Sequence, residues 1–128
     1  MKILFVCRHN RFRSKLAEGF FNKYNKKKNN KAISRGVFKD INVANSVVKI
    51  AREKKIKLSG RISRPMTRNE MISSDLIVIV ANDVPKSLFP GKKVLVWKFA
   101  DTDQRDVKEI RKTAEQIEKK VKGLIRRI

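Results

Sequence analysis

The sequence predicts an α/β protein: a three-layer sandwich with a four-stranded parallel sheet and helices on both faces. Three observations predict it. Four short apolar runs recur along the chain, at residues 3–7, 31–36, 75–80 and 93–97. Segments with apolar residues at helical spacing separate them or follow them, and strands alternating with helices imply parallel pairing. The run Asp75-Leu-Ile-Val-Ile-Val80 is apolar without alternation, as in a central strand covered on both sides. With 128 residues, 41% of them hydrophobic, the chain is expected to be one domain, 1–128, with its own core. No repeat or low-complexity linker divides it.

The first run, Ile3 to Val6, is partly β-branched and ends on Cys7. From Ser14 onward, Leu16, Phe20 and Tyr24 recur every four residues beside Ala17 and Phe21, so one helix face is apolar. That helix is expected to end in Asn25-Lys-Lys-Lys-Asn-Asn30, where cations suit a helix C-terminus and the Asn pair suits a turn. Lys31 to Gly36 reads as the second strand, closing on Ser34-Arg35-Gly36. Val43, Ala44, Val47, Val48 and Ala51 predict a helix over 42–54. Thr67-Arg-Asn-Glu70 has the capping-box pattern of a short helix. After the strand over 75–80, Asn82-Asp83-Val84-Pro85 is expected to begin a short helix that Phe89-Pro90-Gly91 ends. Lys93 to Trp97 is the fourth strand. Val107, Ile110, Ala114, Ile117, Val121 and Leu124 then mark a long amphipathic closing helix.

The chemistry concentrates in Cys7-Arg8-His9-Asn10-Arg11-Phe12-Arg13-Ser14. A loop between a strand and a helix gathers backbone N–H groups and the positive helix end around one point, which makes an anion site. Cys7 stands at the strand end, where the helix terminus and Arg13 favour its thiolate. Arg13 offers a planar fork for two phosphate oxygens. Ser14 can donate its hydroxyl hydrogen to the sulfur, or cap the helix. Asn10 tolerates a left-handed backbone and can bend the loop so that amides point inward. Arg8 and Arg11 add positive potential. His9 reads as a loop residue rather than a base. A nucleophile inside a cradle for a dianion is the arrangement needed for phosphoryl transfer through a phosphocysteine.

This stretch resembles the low-molecular-weight protein tyrosine phosphatases, through Val6-Cys7, Asn10 and Arg13-Ser14 directly after an N-terminal strand, and the resemblance runs along most of the chain. The same fold is shared by thioredoxin-linked arsenate reductases. The resemblance implies that residues 8–14 bind phosphate and that Cys7, Arg13 and an aspartic acid carry catalysis. In the family this acid lies in an Asp-Pro pair between the last strand and the last helix. Asp101 stands in that place and Asp103 is the rival; helix capping is the duller use of both. Phosphotyrosine in proteins is the implied substrate.

The sequence also departs from the family pattern. Arg35 replaces Ala in the Ser-Ala-Gly-like turn. Arg61, followed by Ser63, stands where a His would help hold the phosphate loop. His9 takes a position that is commonly Gly. Thr102 replaces the Pro of Asp-Pro. Gln104 and Arg105 occupy the region of the family's tyrosines, which leaves Trp97, Phe12 or Phe99 as candidate apolar walls. Phe12 stands where many relatives carry a second loop cysteine.

Net charge is +21, from 33 basic and 12 acidic residues. Such a chain attracts anions at long range, whether phosphoproteins, nucleic acid or acidic membranes. Nucleic-acid binding rests on charge alone, without aromatics interleaved among the basic clusters. The expected partner is a phosphorylated protein or a small phosphomonoester. One cysteine excludes an internal disulfide and fits a reducing compartment. Without a spanning segment or signal pattern, the expected location is cytoplasmic. No cofactor or metal is expected.

Two function classes remain open at this level. One is a phosphatase working through a cysteinyl phosphate. The other is a phosphate- or phosphoprotein-binding module with little turnover. Arsenate reduction needs later cysteines to take up the oxidation; Ala81 stands where one is expected, so that chemistry requires an external thiol.

Overall fold

The computed structural model describes residues 1–128. Four parallel strands, β1 (Lys2–Cys7), β2 (Lys31–Gly36), β3 (Leu76–Val80) and β4 (Val94–Trp97), pair in the order β2-β1-β3-β4. The helices are α1 (Arg13–Tyr24), α2 (Asn45–Glu53), α3 (Arg68–Ser73) and α4 (Val107–Arg127).

Strand alternation sorts the core into two layers. Ile3 and Phe5 of β1 and Leu76, Val78 and Val80 of β3 face the larger cluster, which α1, α2 and α4 cover with Phe20, Phe21, Val47, Ile50, Ile110, Ile117 and Val121. Leu4, Val6, Ile77 and Ile79 face the other way, against Val84, Phe89, Met66 and Met71. That second layer is thin, made of α3 and irregular chain. All five β3 residues are buried, as the unbroken apolar run requires.

The boundaries differ from the sequence reading at two elements. The helix expected over 42–54 starts only at Asn45, because residues 42–44 run extended and Val43 N donates to Arg61 O at 2.8 Å. The helix expected between Asn82 and Phe89 is a single three-residue 3₁₀ turn, Lys86–Leu88. Pro85 stays extended before it, and Pro90 follows with no N–H to continue it. The Thr67 capping box forms in full: Glu70 N donates to the Thr67 hydroxyl and Thr67 N to the Glu70 carboxylate.

The order β2-β1-β3-β4 places a site. The chain leaves β1 toward β2 on one side and returns to β3 on the other. In parallel sheets ligands bind in the crevice this reversal opens at the carboxyl ends of the strands. Cys7 is the last residue of β1.

Candidate active site

The segment 8–12 turns between β1 and α1, and Arg13 opens the helix. Asn10 makes the turn possible with φ +55°, the left-handed region that Asn tolerates. His9 keeps a negative φ, so the residue that stands for a glycine is not strained there. The Asn10 amide bends back to donate to Cys7 Sγ at 3.3 Å. Ser14 Oγ lies 3.0 Å from the same sulfur. Ser14 is not a helix cap; the N-cap is Phe12, without a side-chain bond.

The direction of the Ser14–Cys7 hydrogen bond follows from the groups behind it. Arg64 N donates to Asn10 Oδ1 at 3.0 Å, which fixes the orientation of the amide. Asn10 Nδ2 then donates to Ser14 Oγ at 2.8 Å and to Ser34 Oγ at 3.2 Å. Ser34 in turn donates to the Glu18 carboxylate at 2.8 Å. With Asn10 supplying a donor to Ser14 Oγ, the serine hydrogen is left for the sulfur. Asn10, Ser14, Glu18 and Ser34 are all buried, so this chain is protected from competing water.

Other bonds hold the loop from outside. Ser63 Oγ donates to His9 O, Val37 N to Cys7 O at 3.1 Å, and Phe38 N to Arg8 O at 3.0 Å. Gly36 packs so close that a Cβ there would lie 2.8 Å from His9 C and 2.9 Å from Asn10 N. Arg61, which stands for the family's histidine, does not reach the loop. Its guanidinium turns to Asn45 and the Val43 carbonyl at the start of α2.

Arg13 is 2% exposed. Its Nη1 donates to Phe99 O at 2.8 Å and to Asp83 Oδ1 at 3.1 Å, and its Nη2 to Asp83 Oδ2 at 3.4 Å. The guanidinium plane is therefore set by the segments after β3 and β4. The pocket it borders is lined by Cys7, His9, Arg11, Phe12, Arg13, Asp101 and Gln104. His9 Nδ1 lies 3.1 Å from an Asp40 carboxylate oxygen.

The two rival acids separate here. Asp101 lines the pocket with Cys7, and Asp103 does not. Both carboxylate oxygens of Asp103 accept from the Arg105 side chain, at 3.0 and 2.8 Å, and this holds its pKa down at about 2. A carboxyl so firmly ionised is a poor proton donor. Asp101 Oδ1 accepts only from Thr102 N, at 2.9 Å.

Of the candidate aromatic walls, Trp97 is core, 6.0 Å from the Phe5 ring, and Phe99 packs against the same cluster. Phe12 is the one aromatic residue lining the pocket. Three contributors carried no clear sequence signal: Glu18, Asp83 and Arg64. Lys15 is buried, donates to Ser59 Oγ at 3.3 Å, and has its pKa lowered by burial. No cluster of three or more His, Cys, Asp or Glu side chains forms a metal site, and no helix is long and apolar enough to cross a membrane.

Comparison with known proteins places the fold among relatives. No curated protein sequence matches the chain. Among solved structures, arsenate reductase from Archaeoglobus fulgidus is 31% identical over 96% of this chain and 98% of its own, with TM-score 0.81. A low-molecular-weight protein tyrosine phosphatase from T. tengcongensis is 25% identical over 100% and 99%, with TM-score 0.85. YwlE arginine phosphatase from Geobacillus stearothermophilus, 18% identical over 98% and 91%, shares the fold with TM-score 0.82. The family profile described as "Low molecular weight phosphotyrosine protein phosphatase" matches residues 2–128. A cysteine at the end of the first strand, an arginine fixed beside it and a family match along nearly the whole chain lead to one statement: the chain belongs to the low-molecular-weight phosphotyrosine protein phosphatase family.

Proposed function

We propose that the protein is a phosphatase that hydrolyses phosphomonoesters, phosphotyrosine in proteins among them, through a cysteinyl phosphate on Cys7. The observation that supports this best is the sulfur itself. Cys7 Sγ receives the Asn10 amide at 3.3 Å and the Ser14 hydroxyl at 3.0 Å, in a pocket that Arg13 and Asp101 also line.

The chemistry runs in two displacements. The Cys7 thiolate attacks phosphorus, an S–P bond forms, and the bond to the leaving oxygen breaks. Asp101 gives that oxygen its proton. The Arg13 fork and the amides of residues 8–14 hold the equatorial oxygens and meet their charge as it shifts. Asp101, now a carboxylate, takes a proton from water as the water attacks phosphorus. The S–P bond breaks, and Ser14 supports the departing thiolate.

Phosphotyrosine is supported by the family, while Arg11, His9 and Gln104 make the walls polar. A second reading, arsenate reduction, is favoured by the 31% identity to the Archaeoglobus fulgidus enzyme. The two electrons that reduction consumes have to be completed by an external thiol, since Cys7 is the sole cysteine. The test is hydrolysis of p-nitrophenyl phosphate and of a phosphotyrosine peptide by reduced protein, without metal. Parent, Cys7→Ser and Asp101→Ala are compared, and thiol-dependent arsenate reduction is run in parallel. Turnover that vanishes with Cys7→Ser and falls with Asp101→Ala is the expected result. Phosphate bound without turnover contradicts the enzyme reading, and arsenate reduction without ester hydrolysis replaces it.

A further inference from the structure

The side chains of two loop arginines take no part in the chemistry above. Arg11 lines the pocket with Cys7 and Asp101, and its Nε donates to Asn42 O at 3.3 Å. That bond orients the guanidinium, yet neither of its Nη groups meets an acceptor in the protein. Arg8 is exposed, with its guanidinium over the Phe38 ring at 5.3 Å from the centroid and no acidic partner. By contrast, Arg13 is matched by Asp83, and His9 faces Asp40. The phosphate dianion engages Arg13 and the amides, so a fork aimed into the same pocket is left for a second anionic group.

Arg8 also borders an apolar groove, lined by Val37, Phe38, Val84, Pro85 and Leu88 with Asp83. Phe38 is 52% and Leu88 41% exposed, so the two leave apolar surface together in one groove. The groove lies beside the site, tied to it at two points. Phe38 N is bonded to Arg8 O, and Asp83 belongs both to the groove and to the Arg13 ion pair. A small phosphomonoester fills the pocket and leaves the groove empty. A polypeptide carrying the phosphate reaches both.

We infer that the site takes a phosphorylated polypeptide segment in which an acidic side chain beside the phosphorylated residue is gripped by Arg11, while an apolar neighbour lies in the groove of Phe38 and Leu88. The net charge of +21 draws such a segment in from a distance, but only the Arg11 fork reads where its acid stands. The inference rests on the phosphate-loop reading and adds to it which residues beside the phosphorylated one the site selects.

The test uses Cys7→Ser protein, which does not require turnover. Binding is measured for two phosphotyrosine peptides that differ only by Glu or Gln next to the phosphorylated residue. A third peptide carries Ser for Leu on the apolar flank. The Glu peptide is expected to bind about tenfold tighter than the Gln peptide, the scale of one charge-assisted hydrogen-bonded pair. Adding Arg11→Met is expected to bring the ratio within about twofold, and Arg11→Lys, which keeps the charge without the fork, between the two. Lys28→Met, in the turn between α1 and β2, is the control for general attraction and should leave the ratio in place. The Ser-flanked peptide should bind roughly fivefold more weakly, and Phe38→Ala should remove that difference. Equal binding of the Glu and Gln peptides overturns the inference. So does a ratio that survives Arg11→Met and Arg11→Lys, or one that Lys28→Met lowers equally. Inorganic phosphate is titrated alongside: if it fails to bind, the phosphate-loop reading has failed; if it binds and the peptides are not distinguished, the inference alone has failed.

Discussion

Ser14 shows how far a single hydrogen can be traced. Glu18 only accepts, Asn10 is fixed by Arg64, and the Ser14 proton is thereby directed at Cys7. This bond matters most when sulfur leaves phosphorus as a thiolate. Ser14→Ala is expected to lower kcat for p-nitrophenyl phosphate roughly tenfold to a hundredfold, the effect of one hydrogen bond to a charged atom. The loss should fall on breakdown of the phosphocysteine, so a burst of p-nitrophenol should precede slow turnover. A variant losing only KM contradicts this role. Cys7, Asn10, Arg13 and Ser14 were legible because they are consecutive chemistry in a strand–loop–helix setting. Glu18 and Asp83 were not. Each acts on a residue distant in sequence, and a lone acid within a helix or after a strand has many ordinary uses.

At the scale of elements, β2 and the segment after it brace the phosphate loop. The sequence marks Gly36 as a turn glycine, but its φ is not in the left-handed region, and closeness to the His9 and Asn10 backbone is what excludes a side chain. Gly36→Ala pushes backbone against backbone. It is expected to destabilise the fold by about 2 kcal/mol and to cut activity more than stability, because the displaced atoms belong to the loop. Unchanged activity would show that the loop yields without losing its shape.

The α3 cap gives a pH signature. Partial burial alone would raise the Glu70 pKa, but the Thr67 amide and Arg35 outweigh it and hold it below 4.5. A folded-state pKa below the unfolded one means stability that is complete above the unfolded value and is lost as pH falls through the folded one. Glu70→Gln keeps the capping box but loses the charge facing Arg35, so it should cost about 0.5–1 kcal/mol near neutral pH, with the gap to the parent closing below pH 4.5. Urea midpoints across that range measure it; a gap constant with pH contradicts the assignment. The capping box was legible because its two residues are three apart. The Glu70–Arg35 ion pair was not, since nothing in the sequence sets β2 beside α3.

At the scale of the whole molecule, the order β2-β1-β3-β4 puts the loop, the Asp83 turn and the Asp101 segment at one end of the sheet. Apolar periodicity revealed the strands and main helices because burial imposes it. Start and stop residues suggest a helix over 82–89, where extended Pro85 within the segment and Pro90 after it leave one three-residue turn. Periodicity could not show which aromatics face solvent: Phe38, which borders the groove beside Arg8, carried no sequence signal, while Trp97 went to the core. Cysteine content sets one property of the entire chain. Cys7 has no thiol to pair with, and Phe12 fills the loop position of a second cysteine. Peroxide is expected to inactivate the protein, and added thiol to restore it while sulfenic acid is the main product. Recovery after peroxide removal without any thiol contradicts this.

The central claim is that phosphate passes through Cys7. The most direct measurement is the mass of protein quenched in acid during turnover of p-nitrophenyl phosphate, using the Asp101→Ala variant. Its good leaving group needs little help from an acid, while attack of water on the phosphocysteine still lacks its base, so the intermediate should accumulate. One phosphoryl group on the peptide containing Cys7, absent from Cys7→Ala, is the expected result. Turnover by the parent with no phosphoryl group on Cys7 in either protein would contradict the account.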